Sequence, residues 1–143
     1  MIFSFGHSEH ERIEVNVLRY ERAPVGEHYD DNWLTVEIRV EAGGFRGKAA
    51  ATFLTDELTS FLSELRPLFE SLSGSAKFTT MEGQLSLQLA GDGKGHIELN
   101  GEVSDHPGIG NHLKFTLRLD QSQLGASIRE LEQVTSQFPV RAA

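Results

Sequence analysis

The stretch His112-Leu-Lys-Phe-Thr-Leu-Arg-Leu119 runs through Asp120-Gln-Ser-Gln123 into a segment that carries Leu124, Ile128, Leu131 and Val134. In its first part Leu113, Phe115, Leu117 and Leu119 alternate with Lys114, Thr116 and Arg118, so an extended chain buries one side and wets the other. In its second part apolar residues return at spacings of four, three and three, the rhythm of a helix buried along one stripe. The period changes at Asp120. A carboxylate there accepts from a free N–H of the first helical turn while Gln123 reaches back. This is a capping box with Asp in place of Ser or Thr, worth about 1 kcal/mol.

Other segments repeat the strand pattern. Ile13, Val15 and Val17 share a side, as do Leu34, Val36, Ile38 and Val40 after Trp33. Gly43-Gly44 supplies a hairpin turn into Phe45 to Leu54, where Phe45, Gly47, Ala49, Ala51 and Phe53 lie on one side. Those small residues invite close approach by another element, and the first helix is the candidate. That helix is expected from Thr55 as N-cap, with Asp56 and Glu57 in its first turn and Leu58, Phe61, Leu62, Leu65, Leu68, Phe69 and Leu72 buried. Pro67 predicts a kink or restart near Arg66, and Ser73-Gly74-Ser75 an end.

Short strands follow at Ala76 to Thr80, around Leu85, Leu87 and Leu89, and at His96 to Val103. Ile2 to Phe5 reads as a short first strand, with Gly6 to Glu11 as a turn. Ala23 to Asn32 reads as a long exposed loop. Residues 137–143, with Pro139, read as a frayed tail.

One-sided strands indicate antiparallel sheet, and the amphipathic helices must cover its apolar face. The expectation is an α+β fold: a single domain over 1–143, with about seven mainly antiparallel strands and two helices packed on the sheet. The alternative is a β-sandwich with two helices. The length of 143 residues fits one core. No apolar run reaches the roughly 20 residues of a membrane span, and the N-terminus lacks the pattern of a secretory signal, so a cytoplasmic location is expected. The absence of cysteine excludes disulfides and thiolate chemistry.

A formal charge of -8 disfavours direct contact with nucleic acid and favours a basic partner. Glu27, Asp30, Asp31, Glu37 and Glu41 are balanced in this segment only by Arg39, beside the rings of Tyr29 and Trp33. Acids beside aromatics form the candidate partner-binding set: Glu27, Tyr29, Asp30, Asp31, Glu37 and Glu41. The bland alternative is a solvated loop with Trp33 plugging the sheet end.

No catalytic, metal or cofactor site is expected. His7 and His10, or His106 and His112, lack a third ligand at recognisable spacing. Gly91-Asp-Gly-Lys-Gly95 lacks the following Ser or Thr and helix of a phosphate loop, and it fails as a calcium loop. No Gly-x-Ser-x-Gly elbow occurs. A small-molecule or sensory site lined by Phe45, Phe53, Phe61 and Phe69, between sheet and helix, is the competing reading.

The order of several motifs carries more information than any residue. Asp31-Asn-Trp33-Leu, Gly44-Phe-Arg-Gly47, Leu54-Thr-Asp-Glu-Leu58, Gly93-Lys-Gly-His96-Ile and Leu119-Asp-Gln-Ser-Gln-Leu124 together resemble the WapI-like family of bacterial immunity proteins, over about Trp33 to Val134. The resemblance implies a small cytoplasmic antidote. Such a protein binds and blocks the toxic C-terminal domain of a wall-associated or contact-dependent toxin, often a nuclease acting on RNA. An acidic inhibitor suits the basic cleft of a nuclease. Trp33, His96, Asp120 and Gln121 read as scaffold residues.

Overall fold

The computed structural model describes residues 1–141. In chain order it contains β1 (Ile2–Ser8), β2 (Glu11–Tyr20), α1 (His28–Asp31), β3 (Trp33–Ala42), β4 (Phe45–Leu54), α2 (Thr55–Ser71), β5 (Ser73–Thr79), β6 (Leu85–Asp92), β7 (His96–Ser104), β8 (His112–Asp120) and α3 (Gln121–Gln137). The strands form two antiparallel four-stranded sheets, ordered β1-β2-β3-β4 and β5-β6-β7-β8. The α+β class stands, with eight strands in place of about seven, divided between two sheets. The first strand pair is longer than composition suggests. Gly6, at φ +118°, carries β1 through the polar segment, and a Cβ there would meet the Glu11 carbonyl oxygen.

Alternation places Ile13, Val15 and Val17, Leu34 to Val40, and Leu85, Leu87 and Leu89 inside one shared core. A line of rings joins the layers: Phe5 to Phe61 at 5.8 Å, Phe61 to Phe78 at 5.1 Å and Phe78 to Phe53 at 5.2 Å.

Each half of the chain is four strands followed without a loop by a 17-residue helix. Aligned from their first residues, α2 and α3 bury Leu58 and Leu124, Leu62 and Ile128, Leu65 and Leu131, and Leu68 and Val134 at matching positions. Each helix packs on the first strand of the other sheet, α2 on β5 and α3 on β1. Glu64 accepts from the main-chain N–H of Lys77 at 3.1 Å, and its counterpart Glu130 accepts from Ser4 N–H at 3.0 Å and Ser4 Oγ at 2.9 Å. Arg66 meets Glu132, again at matching positions, at 3.2 Å. The helices thereby close the outer edges of β1 and β5. Glu130→Ala strands the Ser4 donors and is expected to cost about 2 kcal/mol in urea unfolding, whereas Glu130→Gln, which keeps an acceptor oxygen, costs less.

Several local expectations are corrected. Thr55 is the first helical residue and not the cap. Leu54 holds that place, its N–H bonded to Glu57 Oε1 at 2.7 Å, while the Thr55 hydroxyl donates to Asn32 Oδ1 at 2.7 Å. Pro67 leaves α2 unbroken, because packing on β5 and α3 outweighs one lost helical bond. The helix ends at Leu72 in the left-handed region, and Ser73 already belongs to β5. Over Gly47 lies Leu113 of β8, not α2; a Cβ at Gly47 would sit 3.4 Å from Leu113 Cδ2. Sheet packs on sheet there.

The frayed tail is also corrected as far as Arg141. Phe138 stacks edge-on against Tyr20 at 5.5 Å, Tyr20 Oη donates to the Pro139 carbonyl, and the Arg141 guanidinium lies 3.4 Å from the centre of the Tyr20 ring. Residues 142 and 143 of that segment lie outside the described residues.

Candidate partner-binding surface

The segment between β2 and β3, expected as an open loop, contains the single turn α1 and a built interior. Asp31 Oδ1 accepts from Val25 N–H and Oδ2 from Gly26 N–H, each at 2.8 Å, and the residue is only 2% exposed. The bond from Val25 leads in holding its carboxyl below the usual range. Asp31 therefore shapes the loop from within. Next to it Asn32 is buried and fully engaged. Its amide donates to the carbonyls of His28 at 2.6 Å and Arg141 at 3.0 Å, and its oxygen accepts from Thr55 Oγ1 and Arg141 N–H.

What that frame presents to solvent is Glu27, Tyr29 and Asp30. Tyr29 is 61% exposed, and Asp30 meets Arg22 at 2.6 Å. His28 Nε2 lies 3.1 Å from Asp56 Oδ2, which joins the loop to the first turn of α2. Glu57 Oε2 in the same turn accepts from Met81 N–H at 2.6 Å, which joins it to the turn between β5 and β6. Burial pushes the Glu57 carboxyl up, and the charges of Glu82 and Asp56 add to this. The exposed apolar side chains of Val25, Tyr29 and Met81 thus sit among Glu27, Asp30, Asp56 and Glu82 at one end of the molecule.

Glu37 and Glu41 are elsewhere. They lie on the outward face of β3, about 13 and 27 Å along the strand from Trp33. Glu37 meets Arg39 at 3.2 Å and Lys48 at 3.6 Å, and Glu41 meets Arg46 at 3.5 Å. The local charge balance is corrected accordingly, since β4 brings bases that are distant in the chain. Both outward sheet faces are nearly neutral. Arg12, Arg39, Arg46 and Lys48 offset Glu14, Glu37 and Glu41 on one, and Lys77, Lys114 and Arg118 offset Glu98 and Glu102 on the other. Where β2 leads into β3 and β4 into α2, Glu21, Glu27, Asp30, Asp31, Asp56, Glu57 and Glu82 outnumber Arg19, Arg22 and Arg141.

The other candidates do not assemble. Among the described residues no group of three His, Asp or Glu side chains is placed to hold a metal. His10 faces Glu41 at 3.5 Å, and His112 faces Glu102 at 3.0 Å. Phe53 and Phe61 are core, Phe45 is exposed, and Phe69 packs beside Gly125, so the four line no common cavity.

The motif at Gly93 to His96 is a turn organised by Asp92. Asp92 Oδ1 accepts from the N–H of Lys94 at 2.7 Å and of His96 at 3.1 Å, and Oδ2 lies 2.8 Å from His96 Nδ1. The Lys94 N–H leads in drawing its carboxyl down to about 2. A folded value below the unfolded value of about 4 stabilises above pH 4, and that contribution is lost as the pH falls towards 2. The stability difference between wild type and Asp92→Asn is expected to shrink across that window in urea titrations. Asp120 behaves as its sequence predicts, accepting from Gln123 N–H at 2.8 Å while its own N–H donates to Gln123 Oε1 at 2.8 Å.

A family model described as the immunity protein WapI-like family matches residues 3–139. No curated protein matches the chain. Among solved structures the chain is similar to the plant transcriptional regulator PBF-2, at 13% identity and a TM-score of 0.54, covering 96% of this chain and 81% of that one. It is also similar to a structure of a guide-RNA-binding protein complex bound to a gRNA, at 13% identity and a TM-score of 0.50, covering 98% of this chain and 94% of that one. At such identity the likeness concerns the fold alone.

Proposed function

The chain belongs to the immunity protein WapI-like family, and from that premise we propose that it is a non-enzymatic antidote that binds a cognate toxin domain and occludes its working cleft. The toxin is a nuclease with a basic active site, and the antidote acts in the cytoplasm. One observation supports this reading: exposed Val25, Tyr29 and Met81 are set among carboxylates at an end of the molecule where acids outnumber bases. Apolar anchors in a charged rim are the usual anatomy of a tight interface, and the negative field steers a basic partner towards it.

Of the six residues read as partner-binding, Glu27, Tyr29 and Asp30 belong to this surface, and Asp56, Met81 and Glu82 extend it. Asp31 holds the loop in shape from below. Glu37 and Glu41, paired with bases on a separate face, stand apart from it. The gRNA contact described for one similar structure does not suit this chain, whose net charge of -8 repels a phosphate backbone.

Co-expression with a cognate toxin domain is expected to restore growth and to yield a complex that co-purifies. Absence of both growth rescue and co-purification would remove the antidote role for that pair.

A further inference from the structure

β4 is an edge strand, and its pairing with β3 is regular from Phe45 to Leu54. In such a ladder alternate residues bond the neighbouring strand and the residues between them turn their main-chain groups away. Ala50 sets the phase, because its carbonyl accepts from Gln84 Nε2 at 2.9 Å on the side away from β3. Lys48 and Arg46, two and four residues earlier, therefore turn N–H and C=O to the same open side. No group among the described residues bonds them there. Gln84 is buried, also donates to the Ser104 carbonyl at 3.2 Å, and closes the edge at Ala50. Short of it the edge is open, whereas β1 and β5 are closed by Glu130 and Glu64.

Beside this open edge lies a crevice of about 210 Å³ between the two sheets, with Val40, Ala49, Val103 and Leu113 in its walls and Asp105, Asn111 and His112 at its polar side, where the Asp105 carboxylate is taken up by Asn111 N–H and Nδ2. Gly47 creates the room, since its missing side chain would point at Leu113. Phe45, at the start of the same edge strand, is 71% exposed. Arg46 and Lys48 point to the opposite face of β4, where their pairs with Glu41 and Glu37 are solvent-exposed and weak.

We propose that β4 from Phe45 to Ala49 is a docking site for an extended segment of another protein. That segment adds as a strand, puts one apolar side chain into the crevice over Gly47, and places acidic side chains on either side of it, across from Arg46 and Lys48. The main-chain groups of Arg46 and Lys48 supply the pairing, and the period of two in a strand dictates the acidic, apolar, acidic order. A second copy of this chain fits poorly. An antiparallel β4 pair centred on Gly47 would set Arg46 against Lys48, and like charges directly opposite are destabilising. The site lies at the far end of the sheet from Asp30 and does not depend on the antidote reading.

The test is a magnetic-resonance titration of the isotope-labelled protein with the blocked heptapeptide Thr-Thr-Glu-Val-Glu-Thr-Thr, with Thr-Thr-Lys-Val-Lys-Thr-Thr as control. Shifts are expected at Arg46, Gly47, Lys48 and Leu113, with slowed exchange of the Arg46 and Lys48 amides and roughly tenfold weaker response to the lysine peptide. Lys48→Pro deletes a donor that no internal bond uses, so it loses peptide binding at an unchanged urea midpoint, while Lys48→Ala binds within about threefold of wild type. Should the proline variant unfold, Gly47→Leu, which fills the crevice, is expected to lose binding in its place. No shift at about 5 mM peptide, equal response to both peptides, or undiminished binding by the folded Lys48→Pro or Gly47→Leu variant would overturn the proposal.

Discussion

Asn32→Ala is expected to lower the unfolding free energy by about 3 kcal/mol, the largest loss for any single polar side chain in the protein. The amide of Asn32 is buried and holds three parts of the chain together: the carbonyl of His28 in α1, the hydroxyl of Thr55 at the head of α2, and the main chain of Arg141 beyond α3. Removing it leaves Arg141 N–H without its acceptor and Thr55 Oγ1 without one in a buried position. The melting temperature should fall by about 10 °C, at two to four degrees per kcal/mol for a chain of this size. Asn32→Asp keeps the acceptor but turns a buried carboxylate oxygen towards the carbonyls of His28 and Arg141, and is expected to cost at least as much as the alanine variant. A loss under about 1 kcal/mol for the alanine variant would mean that the network is not cooperative.

The second large effect is on partner affinity. Reversal of Glu27, Asp30 and Asp56 to lysine is expected to raise the dissociation constant for the cognate toxin domain about 100-fold at low salt, close to 3 kcal/mol. The penalty should shrink at high salt, where exposed charges are screened within a few ångströms. Asp31 is left alone in this variant, since its carboxylate holds Val25 and Gly26 and its reversal would disturb the loop instead of the contact. Glu37→Lys with Glu41→Lys serves as the control. Both sit on the balanced sheet face, and the expected change is about threefold or less. Equal effects of the two variants would detach binding from the acidic end.

Strands and helices were legible because each is a local periodicity. The alternation in β8, the shift of period at Asp120 and its capping bonds are all settled within a few residues. Pairs of carboxylates were not legible in the same way. Asp30 and Asp31 look alike in sequence, yet one faces solvent and the other caps the N–H groups of Val25 and Gly26. Asn32 gave no sign of its role, because two of its partners are 23 and 109 residues away. The charge balance around Glu37 and Glu41 failed for a related reason, since the bases that meet them come from β4 by strand pairing.

The doubling of four strands and a helix escaped too. It survives as burial at matching helix positions and in the pair Glu64 and Glu130, with no repeated wording that a reading along the chain would find. Four of the five motifs that carry the family resemblance prove to be structural: a loop frame at Asp31-Asn32, a turn at Asp92 to His96, and helix heads at Leu54 and Asp120. They identify the scaffold and leave the partner-facing side chains free to differ.

On the proposed reading the protein acts by covering a cleft and makes or breaks no bond. The decisive measurement is a titration of the toxin domain's nuclease activity with the protein. Activity should fall linearly to zero at one equivalent, and toxin recovered from the complex under denaturing conditions and refolded should regain full activity with unchanged mass. Complete inactivation by a small fraction of an equivalent, or recovered toxin of altered mass, would show instead that the protein turns over and modifies its target.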